Sequence, residues 1–311
     1  MRITGMKKRK EVALAMQRAK KMFIPLFIAC LLMGIMVLCG CSAPPEESAP
    51  EPSKEIPGNE QDEITGETTE EENGSESGEE EKESVEEVES SLMLTYLGQS
   101  AFLLENDVSL LMDPYQPNCG TYGKIDLSVD IVTVTHEHSD HNYAQGGGEN
   151  AVVLRGLTAA GDWQEVDYEL EDFHIYTVEN TYHGRNLGKN SIFVVETPHL
   201  RLAHLGDLGH TLDEKALTEI GDVDILIIPV GGYYTLSPQE ALEVIAQLSP
   251  TVAIPAHYRT SHNSDTPIGT LEDFLALDIS YKVESKGSTL QLTSRDLPQQ
   301  TEIWTMDYEL P

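Results

Sequence analysis

Between Thr135 and His141 the chain reads Thr-His-Glu-His-Ser-Asp-His, and this heptapeptide limits what the chain can be more than any other stretch. His136, His138, Asp140 and His141 follow directly on the apolar, β-branched run Ile131-Val132-Thr133-Val134. A hydrophobic core does not take such a group, and without an ion its imidazoles and carboxylate are left poorly paired. Both ligand types suit zinc and its first-row neighbours. Asp130 to Thr135 predicts a buried strand that ends where the cluster starts. Residues i and i+2 of an extended segment point the same way, so His136 and His138 converge on one ion. Asp140 and His141, on the turn that follows, are placed to serve a neighbouring ion.

His-x-His-x-Asp-His is the defining motif of the metallo-β-lactamase-fold hydrolases, and the resemblance continues downstream. Leu202-Ala203-His204-Leu205-Gly206-Asp207 resembles that family's strand-Gly-Asp element, and Val252-Ala253-Ile254-Pro255-Ala256-His257-Tyr258 its last histidine-bearing strand. Thr181-Tyr182-His183-Gly184 stands where the family has its middle histidine. The opening Tyr96-Leu97-Gly98-Gln99-Ser100-Ala101-Phe102-Leu103-Leu104-Glu105, with Asp113-Pro114, is similar to the branch that includes ascorbate-6-phosphate lactonase.

The resemblance implies an α/β fold, a four-layer αββα sandwich with the site at one edge of its sheets. It implies that His136, His138 and His183 hold one metal, that Asp140, His141 and His257 hold the other, and that Asp207 bridges them. The cofactors are then two divalent ions, zinc first, with manganese or iron as alternatives. A hydroxide bridging them is the nucleophile, Asp140 and Asp207 are the catalytic carboxylates, and the substrate is a small ester, lactone or phosphodiester. Two cations about 3.5 to 4 Å apart share a water and lower its pKa toward neutrality, which makes chemical sense of the set.

Around this set, Gln99, Asp113 and Tyr258 orient ligands or substrate, or do ordinary hydrogen-bonding duty. His204 and His210 flank Asp207 and are expected behind the ligands. His174, His199 and His262 read as structural or exposed. The Gly146-Gly147-Gly148 run and the Gly231-Gly232-Tyr233-Tyr234 turn lie where such folds place substrate pockets, and Tyr233 and Tyr234 wall the pocket or pack beneath it.

The N-terminus sets Lys7, Lys8, Arg9, Lys10, Lys20 and Lys21 ahead of an apolar run from Met22 to Leu38, then Cys39-Gly40-Cys41. Residues 1–40 resemble a bacterial lipoprotein signal peptide, which implies cleavage behind Gly40, lipidation of Cys41 and an extracytoplasmic, membrane-anchored enzyme; an uncleaved signal anchor is the alternative. Residues 41–91 are dominated by Glu, Ser, Pro and Gly and cannot bury enough apolar surface to fold. They read as an acidic tether, whose r.m.s. span as a flexible chain is roughly 35 to 42 Å. After processing, Cys119 is the one thiol left unmodified, so the mature chain forms no internal disulfide.

Residues 92–311 are the catalytic domain and carry a net charge of −23 out of −33 for the whole chain. Such a surface repels nucleic acid and anionic lipid headgroups, so the partner is a small molecule rather than a nucleic acid. Short β-branched runs bounded by Gly, Asn or Asp predict strands near 93–97, 101–104, 108–112, 131–135, 151–154, 173–178, 191–195, 201–205, 224–230 and 252–255. Helical periodicity is clearest over 238–248, with Ser237 as cap, and weaker over 212–220 and 270–277.

Two other functions compete. A mononuclear iron persulfide dioxygenase keeps histidines at these positions, whereas diiron reductases of the superfamily carry a carboxylate where this chain has His138. A noncatalytic lipoprotein that binds metal or ligand fits the tether equally well, but has no need of a bridging Asp207.

Overall fold

The computed structural model describes residues 91–310. The leader, Cys41 and the acidic tether lie outside the described residues. Two mixed sheets face one another. The first has six strands in the order β13-β1-β2-β3-β4-β5, the second eight in the order β12-β14-β11-β10-β9-β8-β7-β6. The first half of the chain supplies β1 (Leu92–Gly98), β2 (Ala101–Glu105), β3 (Ser109–Met112), β4 (Ile131–Val134), β5 (Val152–Arg155), β6 (Asp167–Leu170) and β7 (Phe173–Tyr182). The second supplies β8 (Lys189–Glu196), β9 (Arg201–His204), β10 (Ile225–Pro229), β11 (Val252–Ala256), β12 (Lys282–Lys286), β13 (Thr289–Leu292) and β14 (Glu302–Met306). Three α-helices, α1 (Glu214–Ile220), α2 (Pro238–Leu248) and α3 (Leu271–Leu275), complete an α/β fold.

Alternation along the strands sorts side chains between two cores. On β2 and β3, Phe102, Leu104, Leu110 and Met112 enter the large core shared with the second sheet and its helices. Their neighbours Ala101 and Leu111 turn to the opposite face. That outer face is covered by Tyr115, Tyr122, Ile125 and Val129 from the long β3–β4 connection and by Ala144 from a single 3-10 turn. Among the described residues, all three α-helices instead fall after β9, and their buried positions join the large core. β10 and β11 are buried at every position, as parallel strands covered on both faces must be.

The helices start where their caps allow. Ser237 and Glu240 form a reciprocal capping box with Pro238 in the first turn of α2. Asp213 caps α1 by accepting from Ala216 N, so α1 begins two residues after the expected Leu212. Thr270 and Asp273 cap α3, which ends by Leu275 rather than Leu277. Four strands escaped the sequence reading. β6 and β12 are sheet edges with charged, half-exposed sequences, and β13 alternates exposed with buried positions along another edge. The missed β14 runs parallel between β11 and β12.

Candidate metal centre

Seven polar side chains meet where strand ends from both sheets converge. From the six-stranded sheet, the loop after β4 brings His136, His138, Asp140 and His141. From the eight-stranded sheet, His183 follows β7, Asp207 follows β9 and His257 follows β11. In open α/β sheets the carboxyl ends of strands are where ligands bind. The strand feeding the motif stops at Val134, so His136 and His138 sit on a bend rather than on extended backbone. They still converge, with ring centroids 4.8 Å apart.

The side chains form two overlapping groups whose donor atoms lie within 4.8 Å of one another: His136, His138, His183 and Asp207, and Asp140, His141, Asp207 and His257. Asp207 belongs to both, and its two oxygens divide the work. Oδ2 faces His136 Nε2 at 3.8 Å and His183 Nδ1 at 3.5 Å, while Oδ1 faces His141 Nε2 at 3.0 Å and His257 Nε2 at 3.3 Å. Asp140 Oδ2 stands 3.6 Å from both His141 Nε2 and His257 Nε2.

Although these atoms are close, His136 Nε2, His141 Nε2, Asp207 Oδ1 and both ring nitrogens of His183 and His257 are buried without a hydrogen-bond partner. Short separations alone do not make hydrogen bonds, which also need suitable angles and a proton on one partner. Leaving one buried polar group unsatisfied costs about 1 to 3 kcal/mol. A cluster of such atoms fits divalent cations, each taking imidazole nitrogens and carboxylate oxygens.

Without cations the charges compensate only among themselves. Burial opposes ionisation of Asp207, yet His141, His257 and His136 outweigh it and hold the carboxyl below its ordinary range. Burial likewise opposes the charge on Asp140, and His141 and His257 overcome it. His141 and His257 lose proton affinity to burial and regain more from Asp207 and Asp140. Burial, with the neighbouring histidines, lowers His183 to about 4 and pushes His136 well down too.

The surrounding shell fixes which ring nitrogen faces inward. Asp113 is fully buried and accepts from Thr135 N at 2.7 Å and Thr135 Oγ1 at 2.6 Å, and from His141 Nδ1 at 2.8 Å. With its proton given to Asp113, the Thr135 hydroxyl is left to accept from His136 Nδ1 at 2.9 Å. One carboxylate thereby presents both His136 and His141 through Nε2, directly or through a hydroxyl. Gln99 Nε2 donates to Asp140 Oδ2 at 3.0 Å, and the Gln99 carbonyl accepts from His257 N.

Gln99, Asp113 and His257 all hold positive φ, as do Arg185, Asn186 and Tyr233 on adjoining loops. Such conformations persist where the surrounding structure over-determines them, and they concentrate at functional sites. Gly206, at φ 55, is required: a Cβ there would stand 2.5 Å from Asn190 Oδ1 and 2.6 Å from Thr135 Oγ1.

The remaining predicted residues lie outside the two groups around Asp207. His204 donates through Nε2 to Ser100 O and accepts from Gly206 N at Nδ1, so both nitrogens are committed. His210 accepts from Tyr182 N and donates to Thr211 O, away from the ligand atoms. Tyr258 packs in the large core beside Tyr96, where burial pushes its hydroxyl up to about 12. Cys119 is a half-buried free thiol. Three supporting residues went unnoticed in the sequence. Thr135 reads only as the end of a strand; Asn190 accepts from Asp207 N; Asn263 donates to Gln99 Oε1 and so sets the amide that holds Asp140. Nothing local distinguishes either asparagine, because each acts across the fold.

Residues 93–257, just over half of the chain, match the family model of the β-lactamase superfamily domain. The chain belongs to the β-lactamase superfamily. Among its superfamily relatives, a UPF0173 metal-dependent hydrolase of Carboxydothermus hydrogenoformans is 29% identical over 231 residues, 65% of this chain and 100% of that protein. One from Korarchaeum cryptofilum is 30% identical over 190 residues, 54% of this chain and 83% of that protein. A solved structure from Thermotoga maritima, described as a Zn-dependent hydrolase of the metallo-beta-lactamase superfamily, is 30% identical with a TM-score of 0.54, covering 70% of this chain and 100% of that one. With its paired His/Asp clusters, the chain is a metal-dependent hydrolase of this superfamily.

Proposed function

We propose that the enzyme cleaves a small ester, lactone or phosphodiester at a two-cation centre, with His136, His138 and His183 on one ion, Asp140, His141 and His257 on the other, and Asp207 between them. The division of the Asp207 oxygens between the two histidine groups carries this reading. A pair of divalent ions, zinc first, supplies an acidified water and Lewis acidity toward the oxygen of the scissile group. The chain's own residues aim and hold. Asp113 orients His141 and, through Thr135, His136; Gln99 and Asn263 steady Asp140; Asn190 fixes the backbone of Asp207. Asp140 is half-buried and His138 exposed, so the substrate approaches from their side.

Metal analysis of protein purified without chelators tests this directly. Close to two zinc or manganese ions per chain, lost in a His136→Ala/His138→Ala variant, is the expected result. A single iron with oxygen consumption would replace the hydrolytic reading by dioxygenase chemistry, and absence of metal after reconstitution would defeat it.

The proposal extends to location. A basic N-terminus, the apolar run from Met22 to Leu38 and Gly40-Cys41 support a lipid anchor that leaves the domain outside the cytoplasm. The charge of −23 over residues 92–311 supports a small-molecule rather than a nucleic-acid substrate. Cys41→Ala is expected to abolish labelling by radioactive palmitate in bacterial cells; label retained in that variant would exclude the anchor.

A further inference from the structure

Resting on the hydrolytic reading above, we propose that Arg185, stacked on Tyr233 beside the metal centre, selects substrates that carry a carboxylate or phosphate group apart from the bond being cleaved.

Cations are scarce in this domain and nearly all are occupied. Seven of its basic side chains stand in ion pairs, including Arg155 with Glu137 and Lys189 with Asp162 close to the site. Arg185 forms no ion pair and no side-chain hydrogen bond with any described residue. Its guanidinium lies over the Tyr233 ring, 4.3 Å from the centroid. The contact with the ring takes none of the Arg185 N–H groups in a hydrogen bond, and its fork stays open. That fork matches the two oxygens of a carboxylate or phosphate.

Position turns an open arginine into a recognition element. Arg185 follows His183 by two residues on the exposed turn between β7 and β8. The loop bearing Tyr233 is moored at both metal groups, because Gly231 N donates to His257 O at 3.1 Å and Tyr234 O accepts from Gly184 N at 2.7 Å. Arg185, Asn186 and Tyr233 each hold positive φ. Two separate turns are therefore bent into uncommon backbone conformations and bring a cation and a ring face to face at the rim. On a surface of charge −23 an anionic substrate is repelled everywhere except near such a group and the metal ions. Arg259, two residues after His257, is a second exposed arginine outside any ion pair among the described residues, but Arg185 is the one of the two seated over an aromatic ring.

The test uses the full-length, metal-loaded protein, with Arg185→Gln, Arg185→Lys and, as a distant loss of one positive charge, Lys215→Gln. Two readouts are taken: the ratio of kcat/KM for mono-p-nitrophenyl succinate over p-nitrophenyl acetate, and the affinity for phenylphosphonate by titration calorimetry. Arg185→Gln is expected to lower both about tenfold, the loss of one charge-assisted pair. Arg185→Lys should recover part of each, and Lys215→Gln should move neither. Equal values in Arg185→Gln and wild type, an equal fall in Lys215→Gln, or no phenylphosphonate binding by the wild type would overturn the proposal. Should neither ester turn over while phenylphosphonate binding still depends on Arg185, the anion site stands and esterase chemistry is what fails.

Discussion

Asp207→Asn is expected to strip at least one metal ion from the protein and to lower hydrolysis by about a hundred- to a thousandfold, the range seen when an electrostatic stabiliser leaves an active site. The substitution keeps shape and backbone, so Asn190 still receives the residue 207 N–H. What changes is one oxygen and the charge. An amide nitrogen offers no lone pair to a cation, and each oxygen of Asp207 faces a different histidine group. Whichever way the amide turns, one group keeps an oxygen and the other meets an NH2. Metal stoichiometry and ester turnover measured on the same preparation check this. A variant that still holds its wild-type metal content would show that the two groups do not share a carboxylate.

Asp113→Ala is expected to be the most damaging change outside the ligand set, costing about 3 to 5 kcal/mol of stability, as removal of one partner of a buried ionic contact does. Asp113 has no solvent exposure and takes three hydrogen bonds, from Thr135 N, Thr135 Oγ1 and His141 Nδ1. Alanine leaves those donors buried without an acceptor and frees both His141 and His136 to rotate. Metal affinity should fall about 10- to 100-fold, the usual effect of losing a group behind a ligand. The denaturant midpoint of the metal-free protein reads the first effect, and a competitive chelator titration the second. An unshifted midpoint would mean that the Asp113 contacts contribute no net stability.

The sequence was most informative where chemistry is local. His136 to His141 lie within six positions after a β-branched run, and Asp207 and His257 each stand close behind an apolar strand, so these strand ends and candidate ligands were visible, whereas His183, in a loop with Gly and Asn around it, was marked only by the resemblance. The helix at Pro238–Leu248 was equally plain because its cap, its Pro and its buried stripe agree. Legibility failed where a residue's role is set from elsewhere in the fold. The edge strand Lys282–Lys286 is charged and pairs with a distant strand, so nothing local marks it as sheet. Asn263 lies 164 residues from the glutamine it orients, and Asn190 lies 17 from the aspartate it holds. His204 sits on an apolar strand next to the Gly-Asp element, and only the fold shows how its ring is used, on Ser100 O and Gly206 N, 3.9 Å from Asp113 Oδ2.

The seven site residues come from both sheets: His136, His138, Asp140 and His141 from one, His183, Asp207 and His257 from the other. A cation seated among them is thus also a rivet through the sandwich, and neither sheet alone can assemble a complete coordination sphere. Occupancy and sheet docking then become one equilibrium seen from two sides. Ion present at about a hundred times its dissociation constant adds about 2.7 kcal/mol to the cohesion of the pair. Removing the ion is thereby expected to loosen the whole sandwich as well as to stop turnover, because the same residues hold the two sheets to a common point.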